Sequence, residues 1–582
     1  MLSKAERSVR LLRAVSWCRR LLLRSTIYAQ SFSNSKVVFV RAIRRIRFFK
    51  TIALTVAALI ACSAPAFSKT CESLASVNLQ DVAIKSAVSI SAGSYQPPGS
   101  GTSYADLPAF CRVVGTVQRA LDSSIGFEVW LPTSDWNGRY QQVGNHGFSG
   151  VIYWGEMAPQ LRRGFAAGAT DDGHIASGTS PFDVSWAYGH PAKIEDWTTQ
   201  AVHQLAQKAK LLITAFYGKP LRASYFNGCS NGGRQGIKEA QDFPDDFDGI
   251  LAGGAALHAT QGATEQLIMS LNLQRTGIQG ERGKTILELA LAAATKACDR
   301  LDGVADGIVG NPTRCHWDPH DLICKTGTTS SDCITTAQAD ALAENMRDVT
   351  DPVTREWVFS GMPPGSEFNQ ISFQYELGPA PFGLSNYRIA TNNPSWDGSS
   401  FNLHADLPKL NSALGAANAL NPDLNKFAAH GGKLIQYHDW DDAAFTPGGT
   451  IKYYNDVVKT VGHGDIAKVQ RFYRLFMVPG VGHCAGGPGP NNFGEEGQQA
   501  VSDDAEHDAV TALMRWVEKD QAPEKLIATK FIADDPKQGI KMQRPLFPYP
   551  AEAVWNGRGD TNKAENFHMS AGATPAAEVS KD

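Results

Sequence analysis

The chain has 582 residues, 43% of them hydrophobic, which is enough for a large core. This length favours about two to four domains. Residues 1–66 carry 13 Lys and Arg and one acid, whereas the rest has 42 basic and 57 acidic residues, a net charge of −15. So acidic a chain is poorly suited to nucleic acid or to an anionic membrane surface, and we expect neither as a partner.

The N-terminal segment has the pattern of an export signal. The basic stretch Arg41–Lys50 precedes an apolar stretch, Thr51–Ala61, that is too short to span a bilayer comfortably. Ala64-Pro65-Ala66 then provides the small residues that favour cleavage before Phe67. We predict that residues 1–66 are a targeting segment and that the protein is secreted or periplasmic.

Two other interpretations of this segment stay open. Leu59-Ile60-Ala61-Cys62 resembles a lipoprotein cleavage site, and without lipidation at Cys62 we expect no stable membrane association. The first 40 residues are rich in Arg and nearly free of acids, as organelle transit peptides are. A start codon assigned too far upstream explains them more simply.

Predicted strands alternate with predicted helices in the first half of the chain. After a β-rich stretch at 81–126, apolar runs predict strands at 127–132, 140–143, 164–170, 223–226 and 249–254. Apolar residues at helical spacing predict a helix over 197–216, and a second helix is plausible over 234–243. This alternation indicates a mostly parallel α/β sheet.

A glycine-rich loop, Gly144-Asn145-His146-Gly147-Phe148, directly follows the predicted strand at 140–143. In a fold with a nucleophile elbow, a loop in this place supplies the second donor of the oxyanion hole. An ordinary turn is the alternative.

Gly228-x-Ser230-x-Gly232 matches the pattern of a nucleophile elbow. The pattern alone is weak in a long chain, because a glycine-rich loop with an incidental serine would also match. Here it lies between a short apolar strand and a plausible helix, which is the context an elbow requires. The glycines let strand and helix pass closely, and the helix N-terminus favours negative charge developing near Ser230.

The stretch 256–424 interrupts the alternation, which resumes with a predicted strand at 431–438. It is rich in helices and loops and holds four cysteines, so we predict one inserted lid domain that carries substrate selectivity. The core is then divided into 67–255 and 425–568. The Ala-, Thr-, Ser- and Gly-rich residues 569–582 are predicted to be a disordered tail.

An acidic turn in the predicted lid has the residue types of a calcium site. The carboxylates of Asp299, Asp302 and Asp306, with the backbone carbonyls of Val304 and Ile308, could surround one Ca²⁺. The spacing departs from that of an EF-hand, and an acidic surface turn is the alternative. An exported chain meets abundant Ca²⁺, so we predict a calcium site here.

A serine nucleophile needs an orienting acid and a base, which follow in the order Ser, Asp, His in this fold. The strand predicted at 431–438 leads into Asp439, Asp441 and Asp442, and each of these qualifies by position. The strand predicted at 475–478 leads into a glycine-rich loop that contains His483. A histidine in such a loop can approach Ser230 without steric hindrance, so we predict that His483 is the base.

Eight cysteines remain once Cys18 and Cys62 are set aside with the targeting segment, and an even number in an exported chain suggests disulfides. Local spacing favours the pairs Cys298–Cys315 and Cys324–Cys333, which leaves Cys71–Cys111 and Cys229–Cys484. Cys229 precedes Ser230 and Cys484 follows His483, so contact between Ser230 and His483 would bring the two cysteines within bridging range. Two buried free thiols are the alternative, and sequence alone does not prove the connectivity.

Together these motifs resemble the tannase and feruloyl esterase family, which also includes the bacterial hydrolase of mono(2-hydroxyethyl) terephthalate. The resemblance covers about Cys71 to Pro550 and rests on residues 136–139, 144–147, 170–174, 228–233, 299–308, 431–435 and 482–484.

The resemblance implies an α/β-hydrolase core with a lid domain and a structural Ca²⁺ in that lid. It implies a catalytic triad of Ser230, Asp442 and His483 and a disulfide between Cys229 and Cys484. Backbone N–H groups of Asn231 and of the 144–147 loop, at His146 or Gly147, would form the oxyanion hole. The implied substrate is a small ester of an aromatic acid such as gallate, ferulate or a hydroxybenzoate.

Two positions depart from the family pattern. The family reads His-Gly-x-Ala-Asp where this chain has His438-Asp-Trp-Asp-Asp442, so Asp441 adds a second acid beside the expected one. His146 stands where the family usually has glycine, and its side chain could narrow the acyl pocket.

We therefore predict a secreted serine esterase that hydrolyses carboxylic esters of aromatic acids through an acyl-enzyme. Trp396 and Phe401 in the lid are weak candidates for stacking on the aromatic acyl group, since aromatic residues in a lid more often belong to its core. A non-catalytic binding protein on the same fold and a serine peptidase are the alternatives. The sequence does not indicate the particular ester or the oligomeric state.

Overall fold

The computed structural model describes residues 70–148, 150–176, 182–325, 332–366, 381–498 and 500–571. The predicted targeting segment, with its cleavage sites, and residues 572–582 of the predicted tail lie outside these ranges. No helix within the described ranges is both long and apolar enough to cross a membrane.

The described strands are, in chain order, β1 (Val82–Ile90), β2 (Gly93–Tyr95), β3 (Tyr104–Leu107), β4 (Phe110–Val117), β5 (Ile125–Pro132), β6 (Arg139–Val143), β7 (Ala166–Thr170), β8 (Ala223–Cys229), β9 (Gly249–Gly253), β10 (Val349–Thr350), β11 (Trp357–Phe359), β12 (Lys433–Asp439), β13 (Tyr473–Val478), β14 (Leu526–Phe531), β15 (Ile540–Leu546), β16 (Glu552–Trp555) and β17 (Phe567–Ser570).

The described α-helices are α1 (Trp154–Arg162), α2 (Pro191–Glu195), α3 (Ala201–Tyr217), α4 (Asn231–Asp242), α5 (Ala259–Arg275), α6 (Gly280–Cys298), α7 (Thr336–Asn345), α8 (Pro381–Thr391), α9 (Leu403–Leu414), α10 (Asn425–His430), α11 (Pro447–Thr460), α12 (Ile466–Val469) and α13 (Ala509–Lys519).

A nine-stranded sheet in the order β1-β4-β5-β7-β6-β8-β9-β12-β13 forms the centre of the fold. The strands β1, β4, β5 and β7 pair antiparallel with their neighbours in that order. From β7 to β13 every neighbouring pair is parallel. The predicted, mostly parallel α/β sheet is therefore confirmed, with an antiparallel edge formed by the β-rich entry.

The parallel strands are short apolar runs because helices cover both faces of the sheet. Every residue of β8 and of β9 is buried. The helix predicted over 197–216 begins as a π-helical turn at Asp196–Gln200 and continues as α3 until Gly218, whose left-handed φ of 68° ends it.

The carboxyl ends of β6, β8, β12 and β13 lie along one edge of the sheet, because these strands run parallel. The loops that follow them contain the predicted oxyanion residues, Ser230, the candidate acids and His483 in turn. Ligand sites of open α/β sheets lie outside such carboxyl ends. The fold thus collects at one edge the residues that the sequence separates by more than 300 positions.

A long insertion separates β9 from β12, although these two strands are neighbours in the sheet. It contains α5 to α10 and the two-stranded β10–β11 ladder. Phe382 and Leu410 from this insertion share one buried apolar cluster with Phe148 and Trp197 of the core. The insertion thus packs against residues near the strand ends, while its boundaries as a separate lid domain stay a prediction.

All eight cysteines of the described residues form disulfides. The pairs are Cys71–Cys111, Cys229–Cys484, Cys298–Cys315 and Cys324–Cys333. The first joins the N-terminal 3₁₀ turn to β4, and the last two lie within the insertion.

Candidate active site

Ser230 lies between β8 and α4 with φ of 61° and ψ of −121°, a backbone conformation that residues other than glycine rarely adopt. Its N–H donates to the Gly253 carbonyl at 3.0 Å. A Cβ on Gly228 would lie 2.9 Å from the Gly232 Cα. No residue larger than glycine therefore fits at position 228, where the strand and the helix meet. The sharp turn predicted from the glycine spacing is present.

Ser230, His483 and Asp442 form one hydrogen-bonded chain. The Ser230 Oγ lies 2.8 Å from His483 Nε2, and His483 Nδ1 lies 2.8 Å from Asp442 Oδ2. Ser230 is 8% exposed and Asp442 is fully buried. The serine hydroxyl can therefore donate to the imidazole while the imidazole donates to a carboxylate that water does not reach.

Asp442 is fixed by more than the histidine. Its Oδ1 accepts the backbone N–H groups of Ala444 and Phe445 at 2.8 and 3.0 Å. Burial alone would raise the pKa of Asp442, but the neighbouring His483 and these N–H donors outweigh it and hold the pKa below its usual range. The carboxylate is therefore ionised and ready to orient the imidazole at neutral pH.

The two competing acids have other contacts. Asp439 Oδ2 accepts the Cys484 N–H at 3.1 Å, and the Asp441 N–H donates to the Val481 carbonyl at 3.1 Å. Both contacts run to the loop that holds His483, so these residues help to place it. Of the three candidates, Asp442 is the one bonded to the imidazole.

The Cys229–Cys484 disulfide joins the elbow to the histidine loop. It spans 255 residues of sequence, with Cα atoms 6.0 Å apart. A Cβ on Gly254 would lie 3.0 and 3.3 Å from the two sulfur atoms, so the end of β9 fits closely against the bridge. The bridge and β9 together fix the spacing of Ser230 and His483.

The predicted oxyanion residues lie on two different elements that line the same cavity. Asn231 is the first residue of α4, and its side chain accepts from Arg234 Nε at 2.7 Å and donates to Asp172 at 3.2 Å. His146 and Gly147 follow β6 and line the same cavity as Ser230. The His146 imidazole bonds to Glu156 through Nε2 at 2.9 Å.

A cavity of about 500 Å³ opens at Ser230 and His483. Its described aromatic lining comes from both the core and the insertion, namely Phe182, Trp197, Phe382 and Phe445. The sequence did not single out these four, because nothing in the local pattern distinguishes a cavity-lining ring from a core ring.

Trp396 and Phe401, the weak candidates for stacking on an acyl group, pack against another aromatic residue of the insertion, and a role toward the substrate stays a prediction. Their rings lie 5.3 Å from the ring of Tyr387, which is fully buried within the insertion. Neither residue is part of the described cavity lining.

Arg234 is the lone Lys or Arg in the described lining of the cavity, and its guanidinium makes hydrogen bonds within the protein. Its guanidinium donates to the Asn231 side chain and to the carbonyls of Trp197, Thr198 and Ala417. The guanidinium also lies 4.8 Å from the Trp197 ring centroid. Arg234 thus supports the cavity wall, and four of its five N–H groups are bonded within the protein.

The residues of the predicted calcium site form a closed turn after α6. Asp299 Oδ1 accepts the N–H groups of Asp306 and Gly307, each at 3.0 Å. Asp302 accepts from the Val304 N–H at 3.0 Å, and Asp306 accepts from the Ile308 N–H at 3.1 Å. All three carboxylates thus accept backbone N–H groups of the same turn.

The charge of this turn fits a hard cation. Burial and the neighbouring charges of Asp306 and Asp299 raise the pKa of Asp302 to about 6. Arg544 forms an ion pair with Asp306 and so offsets one of the three negative charges. Oxygen donors with surplus negative charge are what Ca²⁺ requires.

The chain matches known proteins over most of its length. A sequence profile described as Tannase and feruloyl esterase matches residues 111–379 and 380–570. An uncharacterized esterase from Xanthomonas campestris pv. campestris is 37% identical over 547 residues, which cover 89% of this chain and 93% of the relative. Probable feruloyl esterase B-2 from Aspergillus terreus is 31% identical, with 85% and 94% covered.

Solved structures agree with these matches. Feruloyl esterase B from Aspergillus oryzae superposes with a TM-score of 0.78 at 28% identity and covers 86% of this chain and 99% of its own. Tannin acyl hydrolase from Aspergillus niger superposes with a TM-score of 0.68 at 20% identity, covers 85% and 92%, and shows the fold alone.

A mostly parallel sheet with a serine elbow after one strand and a histidine loop after the last parallel strand defines an α/β-hydrolase. The profile match and the sequence identities over most of the chain then narrow this class to one family. The protein belongs to the tannase and feruloyl esterase family and is a carboxylic ester hydrolase of that type.

The two adjacent acids can be separated by mutation. Asp442→Asn should lower kcat for p-nitrophenyl acetate by roughly 10⁴, because an amide can hold the wrong imidazole tautomer. Asp441→Asn should cost far less, since Asp442 is the acid bonded to His483. Steady-state kinetics on both purified variants checks this, and a reversal of the two effects would make Asp441 the orienting acid.

Removal of the Cys229–Cys484 bridge by a double alanine substitution should lower kcat in protein that remains folded. A displacement of about 1 Å between nucleophile and base can cost on the order of 10² in rate. The stability lost by opening so long a loop is near 5 kcal/mol as an upper, model-dependent figure. Replacing Cys324 and Cys333 together is the matched control, and it should leave kcat unchanged.

Peptide mapping under non-reducing conditions tests the bridge directly. If Cys229 and Cys484 react with an alkylating agent as free thiols in active enzyme, the bridge is absent and this account of the site is wrong.

Proposed function

We propose that the protein is an exported serine esterase that hydrolyses uncharged esters of aromatic acids through an acyl-enzyme. The observation that carries the proposal is the Ser230–His483–Asp442 chain at the mouth of an aromatic cavity of about 500 Å³. A volume of this size suits a small organic ligand.

In the proposed acylation step, Ser230 Oγ attacks the ester carbonyl while His483 Nε2 takes its proton. Asp442 stabilises the imidazolium that forms and keeps Nδ1–H directed at its own carboxylate. The carbonyl oxygen becomes an oxyanion, which accepts from the N–H of Asn231 and from an N–H of the loop at His146 or Gly147. His483 then gives its proton to the leaving alcohol, and the acyl group stays on Ser230.

Deacylation repeats the same steps with water in place of the alcohol. His483 takes a proton from water, the hydroxide attacks the acyl carbon, and the acid leaves as the proton returns to Ser230. The base and the oxyanion donors serve both halves, so no further catalytic group is needed.

The lining of the cavity favours an aromatic acyl group without charge. Phe182, Trp197, Phe382 and Phe445 offer ring faces and edges, and aromatic pairs gain about 0.5–1.5 kcal/mol beyond area burial. The lining cation, Arg234, donates to carbonyls and to Asn231. Residues 177–181 and 367–380, which precede Phe182 and Phe382 in sequence, contain no Lys or Arg. A second carboxylate on the acid would therefore lose its hydration and would meet the His146 imidazolium only in competition with Glu156 and Glu496.

Export is supported by the cysteines. Every cysteine in the described ranges is in a disulfide, and disulfides persist in oxidising compartments. The signal-like pattern that ends at Ala66 fits the same route.

We also propose that Asp299, Asp302 and Asp306, with the carbonyls of Val304 and Ile308, hold a structural Ca²⁺. Bound there, the ion would tie the turn together by electrostatics and take no part in the ester chemistry. A Cβ on Gly480 would lie 2.9 Å from Ile308 Cγ2, so the turn packs on the segment that leads to His483.

The function is tested with Ser230→Ala and a panel of esters. The variant should fold normally and lose several orders of magnitude in kcat, because triad members act as a unit. Wild-type enzyme should hydrolyse methyl ferulate or methyl gallate with a higher kcat/KM than a terephthalate monoester. Retention of more than about a tenth of the activity by the variant would rule out Ser230 as the nucleophile.

Two controls complete that experiment. Casein tests peptidase activity, and correctly folded wild-type protein without activity on any ester would instead indicate a binding protein. Preference for the terephthalate monoester would contradict the proposed exclusion of a second carboxylate.

Calcium is tested by chelation. EDTA should lower the melting temperature more than it lowers kcat, because the ion supports the fold and not the chemistry. Added Ca²⁺ should restore the melting temperature while Mg²⁺ does so poorly, since Mg²⁺ demands a tighter octahedral site. Asp302→Asn should abolish the EDTA effect. Metal analysis that finds no Ca²⁺, with no effect of EDTA on melting, would refute the site.

A further inference from the structure

A turn after the histidine loop places a carboxylate, that of Glu496, beside the elbow, with 12% of its side chain exposed. Glu496 has φ of 42°, in the left-handed region that residues other than glycine rarely adopt. Next to it, Gly497 packs so closely on α1 that a Cβ there would lie 3.2 Å from the Glu156 Cα. The strained backbone directs the Glu496 side chain toward the loops that hold the proposed triad and oxyanion hole.

Glu496 bonds to the elbow itself. Its Oε1 accepts the backbone N–H of Cys229 at 2.7 Å, one residue before Ser230. A carboxylate oxygen of Glu496 also lies within 4.8 Å of the sulfur atoms of Cys229 and Cys484. The carboxylate is thus behind both the elbow and the bridge to the histidine loop.

The same oxygen reaches the proposed oxyanion loop. Glu496 Oε1 lies 3.5 Å from His146 Nε2, and His146 Nε2 bonds to Glu156 Oε1 at 2.9 Å. Burial opposes the charged imidazole, but Glu156 and Glu496 outweigh it and raise the pKa of His146 to about 9. At neutral pH an imidazolium therefore lies between two carboxyl groups, one on α1 and one on the turn.

We infer that Glu496 is a positioning residue: it holds the nucleophile elbow and the oxyanion loop at a fixed separation because its Oε1 accepts from Cys229 and contacts His146. This role rests on the proposed function, since it concerns the same serine and the same oxyanion donors. Glu496 itself touches no reacting atom and supplies no proton.

The physical reason for such a residue is the geometry of the oxyanion hole. One donor is on α4 after the elbow and the other is on the loop after β6, so no single element fixes both. A displacement of about 1 Å between groups that act on one carbonyl can cost on the order of 10² in rate. A side chain that contacts both elements removes this freedom.

The test compares Glu496→Gln with Glu496→Asp. The glutamine keeps an oxygen at the same reach and can still accept from Cys229, although it has no charge. The aspartate keeps the charge but withdraws the acceptor by about 1.5 Å. We expect the aspartate variant to lose about 10- to 100-fold in kcat for p-nitrophenyl acetate, with KM nearly unchanged, and the glutamine variant to stay within about fivefold of wild type.

Glu495→Gln is the matched control, because Glu495 is a buried neighbour that accepts from the Phe493 N–H within the same turn. It should leave kcat within about twofold. Melting temperatures of all three variants show that each is folded at the assay temperature. If glutamine costs as much as or more than aspartate, charge and not hydrogen-bond geometry is what matters, and the proposal is wrong.

A second readout needs no ester. Amide hydrogen exchange at Cys229, read by mass spectrometry of its peptide, should become faster in Glu496→Asp and stay slow in Glu496→Gln. Unchanged exchange in the aspartate variant overturns the positioning role whatever the activity. A separate measurement tests the proposed function itself. If Ser230 of the wild-type protein does not react with a fluorophosphonate probe, the proposed function is wrong.

Discussion

The rest of the site depends on a close contact between backbones at the elbow. Gly144, Gly228 and Gly232 meet where β6, β8 and α4 converge, and a Cβ on Gly144 would lie 2.6 Å from the Gly232 Cα. This contact brings the loop after β6 close to Ser230, while the left-handed φ of Ser230 lifts its hydroxyl off the sheet. This main-chain contact limits how closely the two loops that carry the proposed oxyanion donors can approach, and we infer that Glu496 keeps them from moving apart. Three backbone hydrogen bonds offset the free-energy cost of the strained Ser230 backbone. The Ser230 N–H donates to the Gly253 carbonyl, and the N–H groups of Arg234 and Ala256 donate to the Ser230 carbonyl.

Around this contact several ionisable groups are buried, and two of them accept hydrogen bonds from neighbours on other elements. Asp172 on the loop after β7 accepts from Asn231 and Gln235 of α4, and burial raises its pKa to about 7. Asp439 after β12 accepts from Cys484 in the histidine loop. Buried polar groups cost free energy when unpaired, so each such bond also penalises any arrangement in which the loops move apart. Precision at Ser230 therefore comes from a polar network spread over five strand ends.

Much of this could be predicted from the sequence, for reasons that can be named. The strand, turn and helix around Ser230 and the glycine loop at His483 are local patterns, and their order along the chain is fixed by the fold. The sequence predicted that α4 begins at residue 234, whereas it begins at Asn231. Asn-Gly-Gly is typical of loops, but the elbow geometry gives these residues helical φ and ψ. The sequence could offer Trp396 and Phe401 only as weak stacking candidates, since side-chain direction within an insertion depends on tertiary packing. Glu496 carried no signal at all, as its role arises from contacts with residues more than 250 positions away.

The disulfide between Cys229 and Cys484 has a consequence for the timing of synthesis. The elbow is made early, but its partner sulfur and the adjacent His483 follow 255 residues later, after the whole insertion. Only a chain that has emerged almost to its end, in a compartment that oxidises thiols, can close this bridge. A truncated chain, or a complete one held among reducing thiols, has its serine in place but lacks the bridge that fixes the base beside it. The covalent link thus makes the fully assembled site a property of the finished, oxidised molecule.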